Sequence, residues 1–87
     1  MRYIPVVKTV RYTADALRDL KRHANMADRI RKALAEYVTV GAHANNVTQL
    51  VGSSDKRLRV GDFRVIFREE DAVLTVVKIG PRGGIYE

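Results

Sequence analysis

The chain has 87 residues, 46% of them apolar and 30% charged, with a net charge of +6 and no cysteine. That is enough for one thin-cored domain over residues 1–87, and too apolar for a disordered chain. It excludes a disulfide framework, a thiolate zinc site and, since no apolar run approaches roughly 20 residues, a membrane-spanning helix.

Residues 3–10 are rich in β-branched side chains and read as a first strand. Pro5 cannot donate to a ladder, so it marks the start of that strand or an edge. Thr13 reads as a helix N-cap, with Asp15 in the first turn where the helix dipole favours an anion. The short helix that follows presents Leu17 and Leu20 on one face, and the stretch from His23 to Met26 ends it. A second helix runs from Ala27 to about Val40. Met26, Ile30, Ala33, Leu34, Tyr37 and Val38 fall three or four apart and make one apolar stripe. Gly41 is its natural stop. The two helices read as an antiparallel hairpin or as one kinked helix. Residues 41–55 read as an irregular loop that Val47, Leu50 and Val51 pin to the core.

The stretch from Lys56 to Phe67 reads as two short strands joined by a two-residue turn at Gly61-Asp62. In that register Val60 faces Phe63, Arg59 faces Arg64, Leu58 faces Val65 and Arg57 faces Ile66. Leu58, Val60, Phe63, Val65 and Phe67 then share one side, and Arg57, Arg59 and Arg64 share the other. Like charges directly opposite destabilise a sheet, so the cluster makes sense if something anionic lies on it. Glu70-Asp71 reads as a second tight turn, and Ala72 to Ile79 as a central strand. That strand adds Leu74 and Val76 to the apolar face and sets Val77 beside Arg64. The fold class is therefore α+β: a small two-layer sandwich of an N-terminal strand, two helices in a hairpin, and a three-stranded antiparallel meander. The helices cover the Leu58/Val65/Leu74 face, and the arginine face stays open.

The net charge favours a polyanionic partner such as nucleic acid. Four Tyr, two Phe and no Trp are too few rings for a binder that stacks successive bases. The N-terminus lacks the apolar core of a signal peptide, and a cysteine-free chain fits a reducing cytoplasm. The candidate site is Arg57, Arg59, Arg64, Arg82 and Tyr86. In the expected register Lys78 and Ile79 lie near Phe63 and Asp62, so Arg82 leaves the last strand beside the hairpin turn. Tyr86 can then curl back on the glycines of the tail. Guanidiniums bind a phosphodiester through paired hydrogen bonds, stay charged at neutral pH, and stabilise charge that grows on its oxygens. A tyrosine among cations is easier to ionise and can take the proton of an RNA 2′-hydroxyl that attacks the adjacent phosphate. The products are a cyclic phosphate end and a free 5′-hydroxyl, and no metal or other cofactor is required. His23 and His43 have no Cys or Glu at ligand spacing, so no metal site is expected. His43, in a loop, is a lesser candidate for a general acid. Arg18, Lys21, Arg22, Arg29, Arg31 and Lys32 give a basic helical surface, either plainly solvated or anchoring phosphates.

Two stretches carry a family resemblance: Arg-Leu-Arg-Val-Gly-Asp-Phe-Arg-Val-Ile-Phe at 57–67 and Ile-Gly-Pro-Arg-Gly-Gly-Ile-Tyr at 79–86. With the order of elements, they make nearly the whole chain resemble the RelE/ParE superfamily of toxins. The resemblance implies the toxin of a type II toxin–antitoxin pair, cytoplasmic, held in a hetero-oligomer by a cognate antitoxin. RelE-like members cleave mRNA on the ribosome; ParE-like members poison DNA gyrase and lack the ribonuclease constellation. By position Arg64 matches the arginine on the scissile phosphate and Arg57 a basic residue of the same motif. Arg82 matches the arginine that stabilises charge or protonates the leaving oxygen, and Tyr86 the near-terminal tyrosine proposed as base. The four together favour the ribonuclease branch. A further upstream lysine of the family falls on Asp55, so its contact is missing or is supplied by Lys56. The C-terminal helix of some members has no counterpart before Glu87.

Overall fold

The computed structural model describes residues 8–81. Strand β1 (Thr9–Tyr12) leads into helix α1 (Ala14–Arg22) and helix α2 (Ala24–Val40). A short 3-10 turn (Ala44–Asn46) precedes β2 (Val47–Gln49), β3 (Lys56–Val60), β4 (Phe63–Glu70) and β5 (Val73–Pro81). These strands form one five-stranded sheet in the order β1-β5-β4-β3-β2, with β1 parallel to β5 and the other neighbours antiparallel. Ala16, Leu20, Ile30 and Leu34 of the helices pack on Leu58, Val65, Phe67, Leu74, Val76 and Ile79 of the sheet. The fold is α+β, and the helices cover the apolar face expected for them. No helix among the described residues is long and apolar enough to cross a membrane.

Local chemistry sets the helix ends. The Thr13 side chain accepts the Ala16 N–H at 3.1 Å and caps α1. A single residue, His23, separates the helices, so α2 begins at Ala24 rather than Ala27. Gly41 ends α2 in the left-handed region at φ 71°, where glycine meets no β-carbon penalty. In α1 the buried residues are Ala16, Asp19 and Leu20, while Leu17 is 44% exposed. The small Ala16 is the side chain that turns inward, and Leu17 falls beside rather than on the contact line with β5.

Among the strands, three expectations are corrected. The first strand occupies Thr9–Tyr12, later than residues 3–10, of which 3–7 lie outside the described residues. The 41–55 stretch is not wholly irregular: Val47, Thr48 and Gln49 pair with Leu58, Arg57 and Lys56. Three residues are too few to show a period, which is why this strand escapes sequence reading. Val47 packs on the core, but Val51 is fully exposed and pins nothing. The third correction concerns β5. Glu70 pairs with Val73, so the turn is Asp71-Ala72, with Asp71 at φ 51°. A bulge then lets Ile66 pair with Lys78 while Phe67 pairs with Val76, leaving Val77 unmatched. The later turn shifts the register by two residues and the bulge adds one. Gly80, not Val77, therefore lies opposite Arg64, and Pro81, not Lys78, lies opposite Phe63.

The bulge is held by α1. Beyond the last β1 pair, Tyr12 with Val76, the outer edge of β5 would be bare. There the Thr13 N–H donates to the Val76 carbonyl at 3.0 Å and the Thr13 hydroxyl to the Val77 carbonyl at 2.9 Å. Asp19, 5% exposed, accepts the Ile79 N–H at 2.9 Å. Removing that acceptor strands a buried donor. Asp19→Ala is expected to cost about 1–3 kcal/mol in urea unfolding, while the exposed Asp15→Ala should cost well under 1 kcal/mol.

Candidate nucleic-acid interface

Gly61 lies at φ 59°, the left-handed geometry that a two-residue hairpin turn demands. The turn sets the observed register: Arg59 opposite Arg64, Leu58 opposite Val65, Arg57 opposite Ile66, each as the apolar alternation dictates. Arg57, Arg59 and Arg64 therefore share the sheet face away from the helices. They line one cavity of about 170 Å³ together with Asn45, Asn46 and Thr48. A larger hollow of about 470 Å³ at the hairpin tip is lined by Arg59, Arg64, Asn46, Gly61 and Asp62. The 3-10 turn and β2 bring the asparagines to the arginines. Their amides add neutral donors, so the arrangement can surround an anion with charged and uncharged N–H groups.

The arginine face is not open along its whole length. Ile66, between Arg64 and Arg68, is fully buried although it lies outside the helix-side core. It offers no apolar area to a partner.

Lys56 is not brought to this cluster. It alternates with Leu58 and Val60, so it faces the helices, and its Nζ donates to Glu69 at 2.9 Å. Glu69 also receives Lys8 at 2.6 Å and the Tyr37 hydroxyl at 3.0 Å. Burial pushes the Glu69 carboxyl up, but hydrogen bonds from Lys8, Lys56 and Tyr37 outweigh burial and hold it at about 2. Burial and the same carboxylate push the Tyr37 hydroxyl up to about 12, which keeps it a donor. This is an anchor for α2, on the opposite side of the sheet from the arginines.

Asp55 has a structural task. It is 7% exposed, and its carboxylate accepts from Arg68 Nε at 2.8 Å across the strand pair. Its carbonyl accepts the Leu50 N–H at 3.0 Å, and its own N–H donates to the Ser53 hydroxyl at 3.0 Å. Lys56 cannot stand in for the family's lysine from the far face, so the cation nearest that position is Arg68, already engaged by Asp55. Arg82 and Tyr86 lie outside the described residues. β5 ends at Pro81 beside the hairpin tip, the residue that precedes Arg82 in sequence.

Asn45 and Asn46 were not legible as site residues. The doublet is visible in the sequence, but only the β2–β3 pairing shows that it stands beside the arginines.

A family model described as the ParE toxin of type II toxin-antitoxin systems, parDE, matches residues 10–86. No curated protein matches the sequence. Among solved structures, the chain is similar to a chain of an archaeal RelE–RelB complex from Pyrococcus horikoshii OT3, at 26% identity and a TM-score of 0.60, covering 92% of this chain and 99% of that one. It is similar to a chain of the RelBE2 toxin–antitoxin complex of Mycobacterium tuberculosis at 24% identity and a TM-score of 0.64, covering 88% and 93%. It also resembles YafQ from Escherichia coli at 19% identity and a TM-score of 0.67, covering 92% and 99%. At identities under 25% the likeness is one of fold.

Proposed function

We propose that this chain, which belongs to the ParE toxin family of type II toxin–antitoxin systems and so to the RelE/ParE superfamily, is a toxin that cleaves mRNA on the ribosome. The observation that carries the reading is the convergence of Arg57, Arg59 and Arg64 on one cavity with two asparagine side chains. A toxin that acts only by covering a protein target has no need of opposed arginines and amide donors around one small cavity. A phosphodiester does have that need: its anionic oxygens offset the repulsion between the guanidiniums and accept their hydrogen bonds.

In this reading Arg64 grips the scissile phosphate, and Arg57 and Arg59 hold the strand. Tyr86 takes the proton of the 2′-hydroxyl as its oxygen bonds to phosphorus. The P–O5′ bond breaks, and the leaving oxygen takes a proton with help from Arg82. The cations do their largest service when charge has grown on the phosphoryl oxygens. A protein antitoxin with acidic side chains would neutralise the toxin by covering the same arginines, in a hetero-oligomer of the cytoplasm.

The family model is named for ParE, and the ParE-like branch of the resemblance supplies a second reading, a non-nucleolytic toxin directed at DNA gyrase. The two part in a cell-free translation extract. Added toxin is expected to arrest synthesis and to leave discrete internal 5′ ends on the message, mapped by primer extension. Arrest or growth inhibition with intact message, accompanied by the DNA-damage response in cells, would favour the gyrase reading.

A further inference from the structure

A third hollow lies around the corner from the arginine face, between α2, the 3-10 turn and the tip of the hairpin. Its volume is about 310 Å³, and Arg29, Lys32, Glu36, His43, Asn46 and Arg59 line it. Residues 29, 32 and 36 are three and four apart, so α2 presents them along one face. Arg29 reaches the hairpin itself: its guanidinium lies 3.3–3.5 Å from where a β-carbon on Gly61 would stand. Asn46, Arg59 and Gly61 line both this hollow and the one at the hairpin tip. The basic surface is therefore continuous from α2 round the tip to Arg64.

One residue does not fit a plain phosphate groove. Glu36 stands among the cations, and a carboxylate repels phosphate. It is held there: Glu36 Oε1 lies 2.8 Å from His43 Nε2, and His43 takes the left-handed conformation at φ 68°. A carboxylate beside cations that could take a phosphate suits a ligand that carries a donor next to its anion. A ribonucleotide is such a ligand, with a phosphate and a 2′-hydroxyl on one unit, and the 2′-hydroxyl is what distinguishes RNA from DNA.

We infer that this groove is a ribonucleotide subsite. Arg29 and Lys32 take a phosphate flanking the one at Arg64, and Glu36, positioned by His43, accepts a hydrogen bond from the 2′-hydroxyl. The inference rests on the RNA reading above and adds a source of discrimination that arginines alone lack. With one carboxylate oxygen held by His43, the other is left to accept the 2′-hydroxyl, a hydrogen bond that a deoxyribose strand cannot supply.

The test is binding, in a Tyr86→Phe background, of RNA, DNA and 2′-O-methyl oligonucleotides of one sequence, each about ten nucleotides long, followed by fluorescence anisotropy over a salt series. The reference protein should prefer RNA to both analogues by roughly three- to ten-fold, the worth of one hydrogen bond. Glu36→Ala should bring the ratio to about one. Arg29→Gln with Lys32→Gln should weaken RNA and DNA alike and lower the log–log salt slope by roughly 0.7 for each phosphate no longer neutralised. These side chains are exposed or half-exposed, and Glu36→Met, similar in length but with no acceptor oxygen, takes the place of Glu36→Ala should that variant unfold. An RNA/DNA ratio unmoved by Glu36→Ala, a salt slope unmoved by the double variant, or no oligonucleotide binding at all overturns the subsite. Failure of the wider reading looks different. If the wild type leaves messages intact in the extract while the Glu36-dependent RNA preference holds, the cleavage reading falls and the subsite stands.

Discussion

Arg64→Ala is expected to lower the rate of message cleavage by about 10²–10³-fold, equivalent to roughly 3–4 kcal/mol of transition-state stabilisation, with the fold intact. The size follows from where Arg64 stands. It is half-buried, opposite Arg59 in the hairpin, with Asn46 and Arg59 sharing its hollow. A cation so enclosed acts on a phosphate through less water than an exposed one, so its loss is not made good by solvent. Arg59, exposed on the facing strand, should matter less, by about tenfold, as expected of a positioning charge. Arg11→Ala removes the same unit of charge from the strand at the far edge of the sheet and should leave the rate unchanged. Single-turnover cleavage rates for the three variants, with circular dichroism melts beside them, check this. Equal rates for Arg64→Ala and Arg11→Ala would leave only net charge as an explanation.

Glu69→Gln is expected to destabilise the domain by about 2–3 kcal/mol at pH 7, a fall in melting temperature of roughly 10–20 °C. The carboxylate binds Lys8, Lys56 and Tyr37 at once, and its side chain is only 14% exposed. Its folded pKa of about 2 lies below the ordinary 4.5. A group depressed on folding contributes its full stability above pH 4.5 and loses it as pH falls through about 2. The difference between wild type and Glu69→Gln should therefore be constant above pH 4.5 and shrink steadily below it. A shift from 4.5 to about 2 corresponds in full to roughly 3–4 kcal/mol, and the 27% and 35% exposure of the two lysine side chains is why less than that is expected. Urea titrations at several pH values read the effect directly. A difference that does not change with pH would mean that Glu69 acts by packing, not by charge.

The centre of the site was legible because its rules are local. A glycine at the tip and alternation on either side set every pair from Lys56–Phe67 to Val60–Phe63. β5 was not legible at the same level. One residue in the second turn and one bulged residue moved its far end by three positions; the turn leaves no mark in the apolar pattern, and the bulge only the change of parity from Val76 to Ile79, which a nearly continuous apolar run obscures. Lys56 is a different lesson. Its alternation with Leu58 already placed it on the helix side, and family resemblance drew it toward the phosphate set. Asp55 in place of a family lysine is explained by Arg68 across the strand pair, an exchange visible only once the register is known. The asparagines and Glu36–His43 belong to loops and helix faces whose neighbours are set by tertiary packing, so no period could have announced them.

Internal attack of a 2′-hydroxyl, the step proposed for this chain, leaves a chemical signature. The most direct measurement is the chemistry of the ends left on a message cut in a translation extract. The upstream fragment is expected to carry a 2′,3′-cyclic phosphate and the downstream one a 5′-hydroxyl, which a kinase must phosphorylate before ligation. Downstream fragments that carry a 5′-phosphate, or messages that stay whole while translation stops, would contradict that step.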